Sequence, residues 1–174
     1  MGLFLENGRL TVNVANETRK DFRGTLRLTL CKADMTVVEE ASCTVDVEAL
    51  TSEDVLVYKA KTTDIYDSYF AAVLWDEEGH EVMRQAELMV PSKHFSWIKP
   101  QITASFRDVP GGVEITLQGS AFTKGVYLDF KDFDCVLSDN FFCLMPGESR
   151  SIRIETALDK LPDAAYTLVV RAYN

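Results

Sequence analysis

The stretch 138-SDNFFCLMPGESRSIRIET-156 combines an apolar run, a turn signal and a strand signal within nineteen residues. From Phe141 to Pro146 every residue is apolar or aromatic, and after Gly147 polar and apolar residues alternate. The Pro-Gly pair suits a type II turn, because proline presets φ at the first corner and glycine takes the positive φ at the second. Residues 149–155 are therefore predicted to form a strand that starts from a tight turn.

The same alternation of apolar and polar residues recurs along the whole chain. The apolar members of these runs are Leu10, Val12 and Val14; Leu26, Leu28 and Leu30; Val113, Ile115 and Leu117; Val126, Leu128 and Phe130; Ile152 and Ile154; and Leu168, Val170 and Ala172. A period of two residues is typical of half-buried antiparallel strands, and the gaps between the runs are short and rich in turn residues. We predict an all-β protein.

The segment 91-PSKHFSWIKP-100 is the predicted boundary between two domains, 1–92 and 93–174. It carries a proline at each end, breaks the alternation and separates two blocks that each contain several strand signals. Phe95 and Trp97 lie within it, and we interpret them as packing residues of the joint.

A tyrosine opens a late apolar strand in each block. Tyr69 follows Asp67, and Tyr166 follows Asp163. Tyrosines in this position resemble the tyrosine corner of Ig-like sandwiches, in which the hydroxyl bonds to upstream backbone. The sequence therefore predicts two consecutive Ig-like antiparallel β-sandwiches of about 90 and about 80 residues.

Composition and charge limit the classes of partner that this chain is expected to bind. The net charge is −9, from 18 Lys and Arg against 27 Asp and Glu, which argues against a nucleic-acid backbone as ligand. No stretch approaches the roughly 18 consecutive apolar residues of a membrane helix, and the first residues lack the features of a signal peptide. We expect neither nucleic acid nor membrane as partner, and a cytoplasmic location.

The four cysteines are predicted to be free thiols. Cys31, Cys43, Cys135 and Cys143 form no CxxC pair, and the two histidines are not spaced with them as zinc ligands. Cys31 is out of phase with its neighbouring leucines whereas Cys43 is in phase with the valines that follow it. The two are therefore expected to face opposite ways.

Enzyme motifs are absent from the sequence. It has no GxGxxG, Walker A or GxSxG pattern, and His80 lies in a predicted hairpin tip and His94 in the boundary segment. The acidic pairs and runs lie near predicted turns, where burial cannot raise a carboxyl pKa as a catalytic acid requires. No cofactor and no catalytic residue is predicted, and we expect this chain alone to be inactive.

Two further groups of residues leave alternatives open. The aspartates 129, 132, 134 and 139 offer oxygen ligands for calcium, but without EF-hand spacing they are interpreted as solvated loop residues, so no metal is predicted. The second group is aromatic and suits either sugar stacking or core and interdomain packing, with packing favoured. Its members are Trp75, Phe95, Trp97, Phe141 and Phe142.

The stretch 124–156 resembles the last domain of family 2 glycoside hydrolases of the β-mannosidase type. There a Val-x-Leu strand and a short acidic segment precede Ser-Asp-Asn, an aromatic pair, an apolar residue, Pro-Gly-Glu and an alternating strand. Eleven positions agree in order: Val126, Leu128, Ser138, Asp139, Asn140, Phe141, Phe142, Leu144, Pro146, Gly147 and Glu148. We expect Asp139 and Asn140 to turn the chain, both phenylalanines to enter the core, and the Pro-Gly pair to turn into the next strand.

The first half resembles the Ig-like domain that follows the catalytic barrel in this family, through Asn16 and through Asp21, Gly24 and Leu26. The resemblance implies a C-terminal fragment, with the catalytic acid/base of an Asn-Glu pair and the nucleophilic Glu upstream on a (β/α)₈ barrel of the same polypeptide. The pair Asn16–Glu17 lies in a predicted turn of an Ig-like domain, so no catalytic role is carried over to Glu17.

The expected function is therefore that of non-catalytic domains that brace a catalytic barrel hydrolysing terminal β-D-mannosides. Exo-β-glucosaminidases carry similar terminal domains, which leaves the sugar of the parent open. A carbohydrate-binding module that takes an oligosaccharide as partner is a second hypothesis and requires an exposed aromatic row on one sheet face. An Ig-like adhesion domain without a glycosidase parent is a third, and fold alone cannot separate them.

Overall fold

The computed structural model describes residues 1–61, 64–110, 112–131, 133–147, 149–155 and 168–172. The chain divides into two compact units, Met1–Trp97 and Ile98–Asn174. Within the described residues no helix is long and apolar enough to cross a membrane.

The first unit consists of two antiparallel sheets. Its described strands are β1 (Gly2–Glu6), β2 (Arg9–Ala15), β3 (Phe22–Lys32), β4 (Val37–Val47), β5 (Ser52–Lys59), β6 (Ser68–Asp76) and β7 (Glu81–Leu88). One sheet has the order β1-β2-β5 and the other β4-β3-β6-β7. A single 3₁₀ turn, Ser92–His94, follows the last strand.

The alternation of the sequence matches the two faces of these strands. The predicted inward residues of β2 and β3 are all buried, and they join a core with residues from the other strands of the unit. That core contains Leu3, Leu10, Val12, Val14, Leu26, Leu28, Leu30, Val45, Val47, Phe70, Ala72 and Leu74. The apolar stripes of the two sheets thus supply one continuous core.

Gly24 of β3 lies close to the backbone of β6. A Cβ built on Gly24 would lie 2.0 Å from the backbone oxygen of Trp75, a separation that real Cβ atoms do not show. Leu26, two residues on, is fully buried. The glycine and leucine that carry the resemblance in the first half therefore have a packing explanation, because the two strands can pair at this point only without a side chain.

The second unit also consists of two antiparallel sheets. Its described strands are β8 (Ile102–Val109), β9 (Gly112–Gly119), β10 (Thr123–Phe130), β11 (Val136–Leu137), β12 (Phe142–Leu144), β13 (Arg150–Glu155) and β14 (Leu168–Arg171). The sheet orders are β11-β13-β9-β8 and β12-β10-β14. The all-β prediction is confirmed in both units, since each contains two antiparallel sheets.

The core of the second unit follows the predicted faces of β9, β10 and β13. Its buried apolar residues include Val113, Ile115, Leu117, Phe122, Val126, Leu128, Phe130, Phe142, Leu144, Ile152 and Ile154. β13 is the predicted strand at 149–155, and it pairs with β9 in register from Arg150 opposite Leu117 to Ile154 opposite Val113. The turn before it also has the predicted form, because Gly147 follows Pro146 with a φ of +69°.

Candidate functional site

The segment from Ser138 to Gly147 runs from β11 to β13, contains β12 and makes several polar contacts with neighbouring strands. Asn140 is its anchor. Its Oδ1 accepts a hydrogen bond from the backbone N–H of Leu128 at 2.8 Å, and its Nδ2 donates to the Leu128 carbonyl oxygen at 3.0 Å. The amide side chain therefore pairs with β10 as a residue of a neighbouring strand would, and satisfies both backbone groups.

Asp139 ties the same segment to β13. Its Oδ2 accepts a hydrogen bond from Nη2 of Arg150 at 2.6 Å, and its Oδ1 accepts one from the Asn140 N–H at 2.8 Å. The Arg150 guanidinium also lies 5.9 Å from the centre of the Phe142 ring. Both partners of the ion pair are about one-third exposed, so we expect it to orient the loop more than to stabilise the unit.

Ser138 extends the β11–β13 ladder by one residue. Its backbone N–H donates to the carbonyl oxygen of Arg153 at 2.9 Å, and its Oγ accepts from the Arg153 N–H at 2.9 Å. Ser138, Asp139 and Asn140 therefore each fix the segment to a different neighbour. The expectation that Asp139 and Asn140 turn and cap the chain stays a prediction.

The two phenylalanines do not share one environment, which corrects the prediction that both enter the core. Phe142 is buried, whereas Phe141 is 62% exposed. The physical reason is the backbone, because Phe141 has a left-handed φ of +59° while Phe142 starts strand β12. Asn140 supports this conformation, since its Oδ1 also accepts the N–H of Phe141 at 3.1 Å.

The remaining motif positions divide between the core and a turn. Leu144 is buried, and Pro146 and Gly147 form the turn described above. Glu148 lies outside the described residues. The motif is thus built from core, turn and backbone anchors, with one aromatic side chain left exposed.

That exposed ring borders a groove. The ring centres of Phe141 and Tyr127 lie 5.0 Å apart, with their planes inclined by 35°. A groove of about 310 Å³ is lined by these two rings together with Gly125, Arg171 and Ala172. The groove joins aromatic surface to one cationic side chain.

The other aromatic residues singled out from the sequence are engaged elsewhere. The guanidinium of Arg27 lies 4.9 Å from the centre of the Trp75 ring. Phe95 is buried and meets Trp97 edge to face with centres 4.7 Å apart, and the indole N–H of Trp97 donates to the Ser92 carbonyl oxygen at 2.9 Å. Their predicted role in packing between the domains stays a prediction.

Tyr69 is fully buried in β6, directly opposite Cys31 of β3. Burial raises the pKa of the Cys31 thiol to about 11, and a hydrogen bond with the Tyr69 side chain opposes that rise. The backbone bond of a tyrosine corner stays a prediction for Tyr69, and Tyr166 lies outside the described residues.

All four cysteines are free thiols, as predicted. Cys31 is buried on one face of β3, whereas Cys43 of β4 lies opposite Leu26 and packs against the core on the other face. Burial is the largest cause that raises the pKa of Cys43, Cys135 and Cys143 as well. Thiols with raised pKa values are poor nucleophiles at neutral pH.

Asn16 is a structural anchor that the sequence did not identify as such. Its Nδ2 donates to the carbonyl oxygens of Lys20 at 2.8 Å and Val47 at 3.1 Å, and its Oδ1 accepts the N–H of Thr18 at 3.1 Å. Glu17 beside it is exposed. An exposed turn position agrees with the decision to assign Glu17 no catalytic role.

The carboxylates do not gather where the calcium alternative placed them. Among the described residues, the ligand atoms of Asp76, Glu78 and His80 lie within 4.8 Å of one another, at the tip of the β6–β7 hairpin. The aspartates at 129, 134 and 139 form no such group in this part of the chain, and Asp132 lies outside it. Asp76 accepts the backbone N–H of His80 at 2.8 Å, which explains this cluster as hairpin geometry.

Two family models match the chain, one in each unit. Residues 8–94 match a mannosidase Ig/CBM-like domain, and residues 97–174 match the Ig-fold domain of the Ig_mannosidase family. Among curated proteins, none matches the chain in sequence.

Two solved structures contain the same architecture. The β-D-mannosidase of Dictyoglomus thermophilum aligns at a TM-score of 0.87 and 18% identity, over 99% of this chain and 21% of that chain. The exo-chitosanase CsxA of Amycolatopsis orientalis aligns at a TM-score of 0.70 and 18% identity, over 99% of this chain and 25% of that chain. The chain thus spans about a fifth to a quarter of the proteins that it resembles.

Proposed function

The chain belongs to the mannosidase Ig-like domain family, with an Ig/CBM-like domain followed by an Ig-fold domain, and on this premise we propose that it is the non-catalytic C-terminal part of a β-mannosidase-like glycoside hydrolase of family 2. The observation that carries the proposal is the occurrence of both domains, in this order, on one chain. The parent enzyme removes terminal β-D-mannose, and these two sandwiches brace its catalytic barrel.

The residues of the candidate site support a bracing role. The side chains of Ser138 and Asn140 bind backbone groups, Asp139 also binds the side chain of Arg150, and the Cys143 thiol has a raised pKa. Retaining glycosidases place two carboxyl groups about 5 Å apart around the scissile bond, one of them with a raised pKa. The Asp139 carboxylate instead binds the Arg150 guanidinium, and Asp76 accepts the backbone N–H of His80 at the tip of a hairpin.

A row in which two exposed apolar side chains flank a threonine on one sheet face of the first unit supports contact with another domain. Phe4 of β1 lies opposite Thr11 of β2, which lies opposite Val57 of β5, so the three side chains share the outer face of their sheet. Phe4 is 61% and Val57 44% exposed. A row of this kind suits burial against a neighbouring surface, and the proposed surface is that of the upstream barrel.

The test begins with the reading frame upstream of Met1 in the source genome. We expect a long segment of alternating strands and helices that contains an Asn-Glu pair. A stop codon and a ribosome-binding site immediately upstream would contradict the proposal. In parallel, the purified 174-residue chain is assayed with an aryl β-D-mannoside, and turnover above the buffer rate by the chain alone would also contradict it.

A β-D-glucosaminide is an alternative substrate for the parent enzyme, since one aligned structure is an exo-chitosanase. The parent, expressed from the full reading frame, should cleave an aryl β-D-mannoside faster than an aryl β-D-glucosaminide. The reverse preference would keep the family assignment and replace the substrate.

We also propose a cytoplasmic location. Four free thiols support it, because cysteines in oxidising compartments commonly pair into disulfides. Fractionation of the source cells with an antibody against this chain tests the location, and recovery from the secreted or periplasmic fraction would contradict it.

A further inference from the structure

The exposed ring of Phe141 is held in place at a cost in backbone energy. A non-glycine residue in the left-handed region is strained and persists where its surroundings fix it. Here Asn140 fixes it, through the hydrogen bond to the Phe141 N–H and the pair of bonds to Leu128. The result is an aromatic ring that is 62% exposed and that packs against Tyr127 instead of entering the core.

The partner of this ring lies on a sheet face. Val126 and Leu128 point into the core, so Tyr127 between them points outward from β10. Arg171 of β14 is directly opposite Tyr127 in the antiparallel register, which puts both side chains on the same outer face. The groove of about 310 Å³ between these two residues and Phe141 therefore has two aromatic walls and a guanidinium beside them.

A second depression also borders Tyr127. It has a volume of about 440 Å³, and its lining includes Asp129, Asp134 and Asn140. Carboxylates accept hydrogen bonds and a guanidinium only donates them. Tyr127 thus borders one groove that contains a donor side chain, Arg171, and a second whose lining includes the acceptor carboxylates of Asp129 and Asp134.

This arrangement fits the chemistry of a sugar chain. The C–H face of a hexose ring packs on an aromatic plane, and its hydroxyl groups both donate and accept hydrogen bonds. The groove volume lies at the lower end of the range for ligand pockets, which suits a short saccharide. We propose that the second unit binds β-linked hexose oligosaccharides across Phe141 and Tyr127, and that Arg171 donates hydrogen bonds to the hydroxyl groups of the sugar.

The inference rests on the proposed function, because the class of sugar comes from the substrate of the proposed parent. It goes beyond that function by adding a sugar-binding site on the second unit. A site of this kind would hold a substrate chain near the enzyme while the barrel removes its terminal residue.

The experiment is an NMR titration of the ¹⁵N-labelled 174-residue chain with β-1,4-mannotriose, up to about 10 mM, where a ligand of millimolar affinity is mostly bound. We expect saturable shifts in the amides of residues 125–129, 140–142 and 168–172. Phe141→Ser should weaken binding about tenfold or more, as expected for the loss of a stacked ring, while Phe141→Tyr should bind as the unchanged chain does.

Phe4→Ser is the matched control, since Phe4 is exposed to the same extent, 61%, but lies in the first unit. It should leave the affinity unchanged. Absence of saturable shifts in the groove, or equal affinity for the unchanged chain and Phe141→Ser, would overturn the inference. Those outcomes do not affect the results expected for the upstream reading frame and the aryl mannoside assay. The sugar-binding inference can therefore be wrong while the proposed function is right.

Discussion

The side chain of Asn140 forms hydrogen bonds with both backbone groups of Leu128. It accepts from the N–H at 2.8 Å and donates to the carbonyl oxygen at 3.0 Å. A side-chain amide has one donor side and one acceptor side, so asparagine can replace one residue of a neighbouring strand. The contact joins a loop residue to a core strand twelve positions earlier. It also fixes the position of the neighbouring residue Phe141.

Replacing Asn140 by alanine should destabilise the second unit by about 1–3 kcal/mol, because two partly buried backbone groups lose their partners. The measurement is hydrogen exchange of the unit's amides, with Leu128 N–H as the local reporter. Asn13→Ala is the control, since the Asn13 amide donates to Asp54 and accepts from Ser52 at exposed positions, and should change stability by less than about 0.5 kcal/mol. Unchanged exchange at Leu128 in Asn140→Ala would contradict the role of this amide.

The sequence could predict the parts of the fold that depend on a local period. Alternation determines which side chains of β2, β3, β9 and β13 face the core, because successive residues of a strand point to opposite faces. The Pro146–Gly147 turn was equally predictable, since proline and glycine have restricted and permissive φ values. These elements needed no knowledge of distant residues.

The rest of the candidate site depends on partners that the local pattern does not contain. Phe141 and Phe142 are identical neighbours in the sequence, and which one enters the core depends on the positive φ that the Asn140 contacts support. Asn16 likewise anchors Val47, thirty-one positions away. The groove beside Tyr127 requires the pairing of β10 with β14, which alternation alone cannot assign.

The neighbouring phenylalanines should respond oppositely to truncation. Phe142→Ala should cost about 3–5 kcal/mol, as expected for a buried aromatic ring. Phe141→Gly should change stability by less than about 1 kcal/mol, because relief of the left-handed backbone offsets the lost contact with Tyr127. Hydrogen exchange of the β9 and β10 amides measures both, and similar losses for the two variants would contradict the assignment of only one ring to the core.

Gly24 should tolerate no side chain. Gly24→Ala places a methyl group 2.0 Å from the Trp75 backbone oxygen, so β3 and β6 must separate, and we expect a loss of more than about 3 kcal/mol in the first unit. Both tryptophans of the chain, Trp75 and Trp97, belong to this unit, so their fluorescence during urea unfolding reports on it.

Gly8→Ala is the control for Gly24→Ala. Gly8 has a φ of +73° but open space around a built Cβ, so it should lose only about 1 kcal/mol from backbone strain. Equal losses at Gly8 and Gly24 would show that the close approach of the two strands is not the determining feature.

Cys31 should make the first unit less stable at alkaline pH. Its folded pKa of about 11 lies above the ordinary value of 9.0, so the folded state keeps its proton where the unfolded state has lost it. The stabilising effect of the buried neutral thiol is complete below pH 9 and is lost as the pH rises toward 11, by an amount on the order of 2–3 kcal/mol. Urea unfolding followed by tryptophan fluorescence at pH 8 and pH 10.5 measures the part of this loss that occurs by pH 10.5, about 2 kcal/mol. Cys31→Ala should reduce this decline in the free energy of unfolding, whereas the control Cys43→Ala should leave most of it. An equally steep decline in Cys31→Ala would show that other groups cause the pH dependence.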